Sequence, residues 1–365
     1  MEKIRIKGKD YSLPIYLPDA TRAVVKSADA LDLKNAQVEG VVVNTYHLMT
    51  NPGVSVLKKF GGIKKFMGFE GLVTSDSGGW QIFSLIHRSK SLGTITDKGV
   101  TFTLGAKKKT LFSPEKSIEV QFGIGSDVII CLDDFTPPDA SVSQIKESVE
   151  RTVLWAKKSK EHYLKLIEKN EMDKNSRPLL FSVIQGGLNK DLRKYCAEKL
   201  LEIGFDGYGF GGYVVNEEDE LDLDISDYIA KLIPNKFIKF ALGVGAPVEI
   251  VNCFEMGWQI FDCTLPTRDG RHKRLYNFAW EPKSLADLRN PKIHQFLYIN
   301  REMYRRDTRP IGENCDCFVC QNFSRAYLHH LFNIKDTLAY RLATIHNLRT
   351  YTKLIQVLRD NTVVS

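Results

Sequence analysis

The chain has 365 residues and a mass of 41.5 kDa, with 43% hydrophobic and 26% charged residues, which excludes collagen-like, low-complexity and largely disordered proteins. Its 51 Lys and Arg residues exceed its 44 Asp and Glu residues by seven, an excess that permits a polyanionic partner without requiring one. No stretch approaches the roughly 20 apolar residues of a membrane-spanning helix, and charged residues rather than an apolar signal-peptide core follow Met1. The sequence therefore predicts a cytoplasmic protein without a membrane segment.

Eight short apolar runs alternate with longer amphipathic stretches along the chain. Several runs are apolar throughout, which is typical of strands buried on both faces of a parallel sheet. The predicted strands are residues 13–17, 40–43, 71–74, 127–132, 179–184, 208–212, 237–244 and 259–264. The clearest helix between them spans residues 142–169. This alternation favours an α/β fold of the (β/α)8 TIM-barrel type over an open doubly wound sheet.

Two irregularities in the alternation predict insertions. Residues 93–103 alternate in polarity around a turn, which indicates a hairpin between the third and fourth strands. About 100 residues follow the eighth strand and end in a helical stretch over 337–358. The sequence therefore predicts one catalytic barrel over residues 1–365, a subdomain inserted at 270–335, and helix 337–358 as the last barrel helix.

Polar residues follow most of the predicted strands, at the end where barrel enzymes carry their active sites. They include carboxylates, amides, and glycines that let a ligand approach the backbone. In chain order they lie at residues 44–47, 75–81, 133–134, 185–187, 211–213, 243–245 and 262–271. Any single aspartate at such a place could simply cap the next helix. So many polar strand ends nevertheless predict one shared pocket.

Two aspartates of this set, Asp76 and Asp262, come from well-separated strands. Such a pair suits chemistry at an acetal-like carbon, for example in an N-glycosidic bond, because one carboxylate can attack while the other transfers a proton. Asp133 and Gln185 offer groups that can read a purine edge, since a carboxylate accepts hydrogen bonds from both N1–H and the 2-amino group of a guanine-like base. Trp80 offers a flat face for stacking that base.

Three of the seven cysteines lie within six residues of one another, at Cys315, Cys317 and Cys320. In a chain predicted to be cytoplasmic, such a cluster favours a metal site over disulfides, and structural zinc takes four ligands in a tetrahedron. Spacing alone leaves three candidates for the fourth ligand, which are His329, His330 and His346. The alternative is three reduced thiols without a metal.

Three segments together resemble the motifs of the tRNA-guanine transglycosylases, and the resemblance extends over residues 44–354. The segments are SDSGGWQ at 75–81, FDCTLPTR at 261–268, and CDCFVC with NFSRAYL at 315–320 and 322–328. The family fold is a (β/α)8 barrel with a zinc-binding subdomain inserted near the C-terminus, and the sequence is most similar to the bacterial type. The fold that the resemblance implies agrees with the one predicted from the strand pattern.

The resemblance implies an enzyme that exchanges the wobble guanine of GUN-anticodon tRNAs for a 7-deazaguanine base through a covalent enzyme–ribose intermediate. It implies that Asp262 attacks C1′ and that Asp76 protonates the leaving guanine and deprotonates the incoming base. The residues implied to bind the base are Asp76, Ser77, Gly78, Gly79, Trp80, Asp133, Gln185, Gly212 and Leu242. The target base must be flipped into the pocket, which is easiest in a single-stranded loop.

The resemblance also implies two segments that contact the tRNA anticodon loop. They comprise Gly243, Val244, Gly245, Ala246, Pro247, Val248 and Glu249, and Thr267, Arg268, Asp269, Gly270 and Arg271. Arg268 and Arg271 would read the uridines that flank the target, although from the residues alone they could equally be surface arginines paired with acids. The resemblance selects His346 as the fourth ligand of one structural Zn²⁺ per chain, and it implies a homodimer.

Several positions depart from the bacterial pattern. Phe135 stands where cysteine is common, Tyr213 where leucine is usual, and Asn216 in the segment that normally receives the aminomethyl substituent of the incoming base. The departures leave the reaction type standing and leave the incoming base open. The alternatives are a relative that acts on another base or on DNA, a non-catalytic RNA-binding partner subunit, and an unrelated barrel glycosidase. The two aspartates disfavour the second, and the cysteine cluster disfavours the third.

Overall fold

An eight-stranded parallel sheet forms the centre of the computed structural model, which describes residues 2–79, 83, 86, 93–104, 108–212, 214–215 and 220–361. Its strands are β1 (Ile15–Pro18), β2 (Gly40–Val43), β3 (Leu72–Ser75), β4 (Val128–Ile130), β5 (Leu179–Ile184), β6 (Gly207–Phe210), β7 (Ile238–Ala241) and β8 (Ile260–Cys263). From β2 to β8 each strand pairs with the next one along the chain, and β8 pairs with β1. Between β1 and β2 the sheet is joined by a bridge from Asp19 to Val42. The TIM-like barrel is therefore nearly closed, as the alternation of strands and helices predicts.

All eight predicted strands are present, and β4 and β7 differ most from their predicted lengths. β4 ends at Ile130 and β7 at Ala241, whereas the apolar runs continue to residues 132 and 244. Leu132, Leu242 and Val244 are apolar because they lie in or beside the loops at the carboxyl ends of the strands, where Leu242 and Val244 line a cavity. An apolar run therefore marks both the strand and part of the loop that follows it.

Helices surround the barrel between its strands. They are Ala30–Asn35, Thr45–Thr50, Val54–Lys59, Ile63–Met67, Pro114–Ile124, Val142–Lys169, Lys190–Ile203, Leu223–Leu232, Pro247–Glu255 and Leu265–Arg271. The longest begins with a capping box, in which Ser141 Oγ accepts from Gln144 N and Gln144 Oε1 accepts from Ser141 N. This confirms the helix predicted over 142–169. None of the helices in the described part of the chain is long and apolar enough to cross a membrane.

A second sheet is inserted between β3 and β4. It consists of three antiparallel strands, Gly93–Thr96, Gly99–Leu104 and Lys108–Phe112, so the predicted hairpin is confirmed and gains a third strand. Its first turn is fixed to the long helix, because the carbonyl of Asp97 accepts hydrogen bonds from Trp155 Nε1 (3.1 Å) and Lys158 Nζ (2.7 Å). The insertion is therefore packed on the barrel.

The opposite, amino-terminal end of the barrel is covered by a hairpin, Lys3–Ile6 and Lys9–Ser12. Apolar side chains of this hairpin, including Ile4, Ile6 and Tyr11, pack in one cluster with inward-facing side chains of the barrel strands. The hairpin therefore closes the apolar core of the barrel at this end.

The chain between β8 and the last helix forms a small unit, and its apolar core also includes side chains of that helix. Its elements are the antiparallel strands Arg274–Phe278 and His294–Tyr298, the helices Leu285–Arg289, Phe318–Asn322 and Arg325–Asn333, and the 3-10 turns Pro291–Ile293 and Glu302–Tyr304. Helix Thr337–Asp360 then returns to the barrel, where Arg341 forms two 2.8 Å hydrogen bonds with Asp32 and Arg359 pairs with Glu39.

Candidate active site and metal centre

A cavity of about 630 Å³ opens at the carboxyl ends of the barrel strands, and residues in or just after all eight strands line it. This volume lies within the roughly 300–1,000 Å³ range of small-molecule sites. The sequence-predicted residues that line it are Asp76, Ser77, Asp133, Gly212, Leu242, Gly243, Val244, Gly245, Glu249, Asp262 and Arg268. The fold therefore brings half of the predicted catalytic, base-binding and RNA-binding residues to one cavity.

The carboxylate of Asp76 is held by three hydrogen-bond donors. Asn44 Nδ2 donates to Oδ2 at 2.7 Å, and the backbone N–H groups of Thr45 and Gly78 donate to Oδ1 at 3.1 and 3.0 Å. Gly78 has a φ of +80°, and a Cβ there would lie 3.0 Å from the backbone nitrogen of Tyr46. Glycine at this position therefore allows the chain to turn back and direct its N–H at the carboxylate.

The carboxylate of Asp262 receives one backbone donor, since Gly243 N lies 2.9 Å from Oδ1. The pKa of Asp262 is raised to about 7, mainly by burial and to a smaller extent by the negative charges of Asp76 and Asp19, while the hydrogen bond from Gly243 opposes the shift. Burial also raises the pKa of Asp76 to about 6, although its three donors oppose the shift. Near neutral pH the two carboxylates can therefore hold one proton between them.

A third carboxylate, Asp133, lies with the amide of Gln185 on another wall of the site. Gln185 Nε2 donates to Asp133 Oδ2 at 2.7 Å, and Ser77 Oγ donates to Oδ1 at 3.2 Å. Burial raises the pKa of Asp133, while these two hydrogen bonds lower it. The amide of Gln185 also packs against Gly212, where a Cβ would lie 2.8 Å from Oε1. The groups predicted to read a purine edge are thus adjacent.

The neighbouring residue, Asp134, fixes this wall to the long helix. Ser148 Oγ donates to the carbonyl of Asp134 at 2.6 Å, Thr152 Oγ1 accepts from its N–H at 3.0 Å, and Arg151 pairs with its carboxylate at 2.5 Å. Asp134 is therefore an anchor for the chain beside Asp133 rather than a helix cap.

Arg193 supports the same wall and was not identified from the sequence. Its side chain is completely buried, and it donates hydrogen bonds to the carbonyls of Ile184, of Gly187 (2.8 Å) and of Gly211 (3.2 Å). These carbonyls flank Gln185 in one loop and immediately precede Gly212 in the next. An arginine on the buried face of an amphipathic helix is the signal that could have pointed to it. Arg193 therefore joins the two loops that shape this part of the cavity.

The two segments predicted to contact RNA lie beside the cavity, but only some of their residues are exposed to solvent. Gly243, Val248 and Arg268 are exposed, whereas Pro247 and Thr267 are buried. Ala246 is the N-cap residue of helix Pro247–Glu255, and its N–H donates to Glu249 Oε2 at 3.0 Å.

The buried members of the second segment face the interior. Asp269 accepts a 2.6 Å hydrogen bond from the hydroxyl of Tyr276, and a Cβ on Gly270 would meet the backbone of the last helix at Ala343. Arg271 donates to the carbonyl of Thr267 at 2.7 Å. Contact with RNA stays a prediction for both segments, and the geometry favours Arg268 for it.

The structure describes some of the remaining residues predicted at the pocket and leaves others outside the described residues. Gly79 is buried beside Ser77, whose Oγ accepts from its N–H at 3.2 Å. Phe135 is buried and borders the cavity. Trp80, Tyr213 and Asn216 lie outside the described residues, so the predicted stacking by Trp80 stays a prediction.

The three clustered cysteines meet one histidine of the last helix. The Sγ atoms of Cys315, Cys317 and Cys320 lie 3.7, 3.6 and 3.3 Å from His346 Nδ1, and the four ligand atoms lie within 4.8 Å of one another. In a tetrahedral zinc site a sulfur and a nitrogen ligand are separated by about 3.5 Å. His346 Nε2 lies 2.7 Å from the carbonyl of Tyr276, which turns Nδ1 toward the sulfurs. This donor set fits a metal ion such as zinc.

The other two candidate histidines lie elsewhere. His329 is buried, with Nδ1 2.7 Å from the carbonyl of Ile299 and Nε2 2.8 Å from the amide of Asn333. His330 is exposed. The structure therefore places His346 with the cysteines, as the resemblance implies.

Comparison with known proteins identifies the family. The family model for queuine tRNA-ribosyltransferase matches residues 1–362. A queuine tRNA-ribosyltransferase of Psychrobacter cryohalolentis is 38% identical over 98% of this chain and 88% of its own length. One from Caldanaerobacter subterraneus subsp. tengcongensis is 37% identical over 95% of this chain and 85% of its own, and an archaeal relative from Archaeoglobus fulgidus is 34% identical over 98% and 92%. The chain therefore belongs to the queuine tRNA-ribosyltransferase family, and it is a pentosyltransferase of tRNA modification.

Proposed function

We propose that this enzyme exchanges the wobble guanine of GUN-anticodon tRNAs for a 7-deazaguanine base through a covalent bond between Asp262 and the ribose. The observation that carries the proposal is that Asp76 and Asp262 line one cavity, where the charge of the first raises the pKa of the second. The cavity is large enough for a nucleoside, and it is also lined by Asp133, which accepts a hydrogen bond from Gln185.

The proposed reaction has two displacements at C1′. The Asp262 carboxylate attacks C1′, the bond from C1′ to the base nitrogen breaks, and the leaving guanine takes the bonding electrons and a proton from Asp76. Asp76 then removes a proton from the ring nitrogen of the incoming base, which attacks C1′ and displaces Asp262. Two inversions retain the configuration of the sugar. No ATP is needed, because the bond between Asp262 and the ribose retains the energy of the glycosidic bond.

In this proposal Asp133 accepts hydrogen bonds from N1–H and the 2-amino group of guanine or of its 7-deaza analogue. Gln185 and the backbone at Gly212 contact the remaining edge, and Leu242 covers one face of the ring. Arg268, at the mouth of the cavity, contacts the nucleotides beside the target. The support is that Asp133 is already positioned by donors from Ser77 and Gln185, so its carboxylate is ordered before a base binds.

The proposed pair predicts a bell-shaped pH dependence of kcat/KM, with limbs near pH 6 and pH 7. Because the two charges interact, these pKa values belong to the pair rather than to one residue each. Below both values the pair carries two protons and no nucleophile remains. Above both pKa values the pair carries no proton, so no acid remains to protonate the leaving guanine. Steady-state rates measured from about pH 5 to about pH 9 are expected to be highest between the limbs.

The variant Asp76→Asn provides the comparison for this profile. It is expected to lose the alkaline limb together with most of the activity. Its acidic limb is expected to stay near the wild-type position, because in the wild type Asp76 is already protonated and uncharged where the first proton leaves the pair. A wild-type profile that is flat from pH 5 to pH 9 would contradict the shared proton.

Mass spectrometry of tRNA tests the proposed exchange. The enzyme is incubated with GUN-anticodon tRNA and each of several 7-deazaguanine bases, and the wobble nucleoside is then identified. Loss of guanine and gain of one of these bases at that position is the expected result, with a DNA hairpin of the same sequence left unmodified. Modification of the DNA hairpin instead, or release of guanine without replacement, would overturn the proposal.

We further propose that Cys315, Cys317, Cys320 and His346 hold one structural Zn²⁺, which joins their loop to the last helix and takes no part in the reaction. In this assignment residues 270–335 form the zinc-binding subdomain and residues 337–358 the last barrel helix. The enzyme acts as a cytoplasmic homodimer by analogy with its family. An exposed apolar patch in the zinc-binding subdomain, which includes Phe318 and Tyr327, is compatible with a subunit contact.

A further inference from the structure

One face of the antiparallel pair Arg274–Phe278 and His294–Tyr298 carries aromatic and cationic side chains. Opposed residues of an antiparallel pair share a face, and successive residues alternate between faces. The residues on this face are Arg274, Tyr276, Phe278, His294, Phe296 and Tyr298, and we call them the hairpin face. Leu275 and Leu297 point the other way, into the apolar core of the C-terminal unit. No residue of the hairpin face is acidic.

An arginine side chain lies beside each of the two exposed aromatic rings of this face. Phe296 is 42% exposed and Tyr298 is 39% exposed. The guanidinium of Arg274 lies 3.8 Å from the ring centroid of Phe296, and that of Arg301 lies 5.1 Å from the ring centroid of Tyr298. Each exposed ring therefore has a positive charge beside it, which is the combination that binds unpaired bases and their phosphates.

The hairpin face adjoins both segments beside the cavity. Arg274 lies 3.6 Å from Asp269, which in turn lies 3.8 Å from Arg268 at the cavity mouth. On its other side, His294 shares a small pocket with Pro247, the first residue of helix Pro247–Glu255. The exposed rings are therefore close to the mouth of the cavity and continuous with the residues that surround it.

We propose that the hairpin face binds single-stranded RNA next to the target nucleotide, with an unpaired base stacked on Phe296 or Tyr298 and phosphates beside Arg274 and Arg301. The proposal rests on the proposed function, because it assumes that the nucleotide in the cavity belongs to an RNA loop. Positive charge on an aromatic face favours a polyanion over a second protein surface, and a flipped target leaves its neighbouring bases unstacked.

The double variant Phe296→Ser, Tyr298→Ser tests the stacking. Its Kd for an anticodon stem-loop RNA is expected to increase about tenfold, because an aromatic–base stack contributes measurably per base. The KM for the free base and kcat at saturating RNA are expected to stay near the wild-type values. The variant Tyr195→Ser, which removes an aromatic side chain of the same 42% exposure from an outer helix, is the matched control and should bind RNA normally.

A salt titration tests the phosphate contact separately. Replacing Arg301 by glutamine is expected to reduce the slope of log Kd against log salt concentration by about one, since one fewer phosphate is neutralised. Melting temperatures of all variants are measured alongside, so that a loss of folding is not mistaken for a loss of binding.

The outcomes separate this inference from the proposed function. If the wild-type enzyme does not exchange guanine in RNA, the proposed function fails. If the wild type exchanges guanine and the folded double variant binds RNA as tightly as the wild type does, the hairpin face is not an RNA surface. A double variant that changes only its sedimentation, from dimer to monomer, would instead assign the face to a contact between two copies of the chain and would overturn the inference.

Discussion

Replacing Asp262 by asparagine is expected to lower kcat for guanine exchange by roughly 10⁴-fold or more, as the loss of a covalent nucleophile does in other enzymes. An amide of the same shape can still accept the hydrogen bond from Gly243, but it cannot form the bond to C1′. The variant should therefore fail to form the covalent adduct with an anticodon stem-loop RNA. The adduct is measured as a shifted band after denaturation of the enzyme incubated with RNA in the absence of a second base.

The stability of this variant provides a second measurement. The pKa of Asp262 in the folded protein, about 7, lies above its ordinary value of 3.8. Between these values the folded state binds more protons than the unfolded state, so this group makes folding less favourable as the pH rises through that window. The asparagine variant is therefore expected to melt at the same temperature as the wild type or higher at pH 8.

The matched variant Asp19→Asn removes another carboxylate that lines the same cavity. It should still form the adduct, because the nucleophile remains in place. An adduct formed by the Asp262→Asn protein, or one lost only in the Asp19→Asn protein, would show that the nucleophile is wrongly assigned.

Replacing Cys317 by alanine is expected to abolish metal binding and to lower the free energy of unfolding by at least about 5 kcal/mol, since a structural zinc ion binds the folded state far more tightly than the unfolded one. The cluster joins the loop 315–320 to the last helix, in which Asn347 donates to the carbonyl of Pro266 and Tyr351 to that of Gly245. Loss of the ion should therefore also loosen the chain beside Asp262. Elemental analysis and thermal unfolding, with and without a chelator, measure both effects.

The variant Cys253→Ala is the control, because Cys253 is a buried free cysteine outside the cluster. It should keep one metal ion per chain and lose stability only by the small cost of a missing sulfur atom. Full metal content in the Cys317→Ala protein would exclude this residue as a ligand.

The strands of the barrel could be predicted because strands buried on both faces are apolar along their whole length. The ends of these strands could not be predicted, because Leu242 and Val244 are apolar for a different reason: they form part of the cavity wall. The third strand of the inserted sheet, Lys108–Phe112, was missed because its lysines are typical of a solvated loop.

In the site, too, the types of the functional residues could be predicted, but not which of them face solvent. Asp76 and Asp262 could be selected because they lie at the carboxyl ends of predicted strands, where barrel enzymes carry their active sites. By contrast, Thr267 and Asp269 belong to a predicted RNA segment but are buried. A sequence gives the chemical type of such side chains, and only the packing of helix Leu265–Arg271 on the last helix decides which of them face solvent. Arg193 was missed because its partners are backbone carbonyls, which carry no sequence signal.

The contacts of helix Thr337–Asp360 affect how the protein is made. Arg359 donates to the carbonyl of Pro14, 345 positions away, and Arg341 pairs with Asp32 across 309 positions. At synthesis rates of about 5–20 residues per second, strands β1 and β2 emerge tens of seconds before this helix does. During that time the first strands of the nascent chain lack their final cover. The amino-terminal strands therefore complete their packing only after helix Thr337–Asp360 has been made.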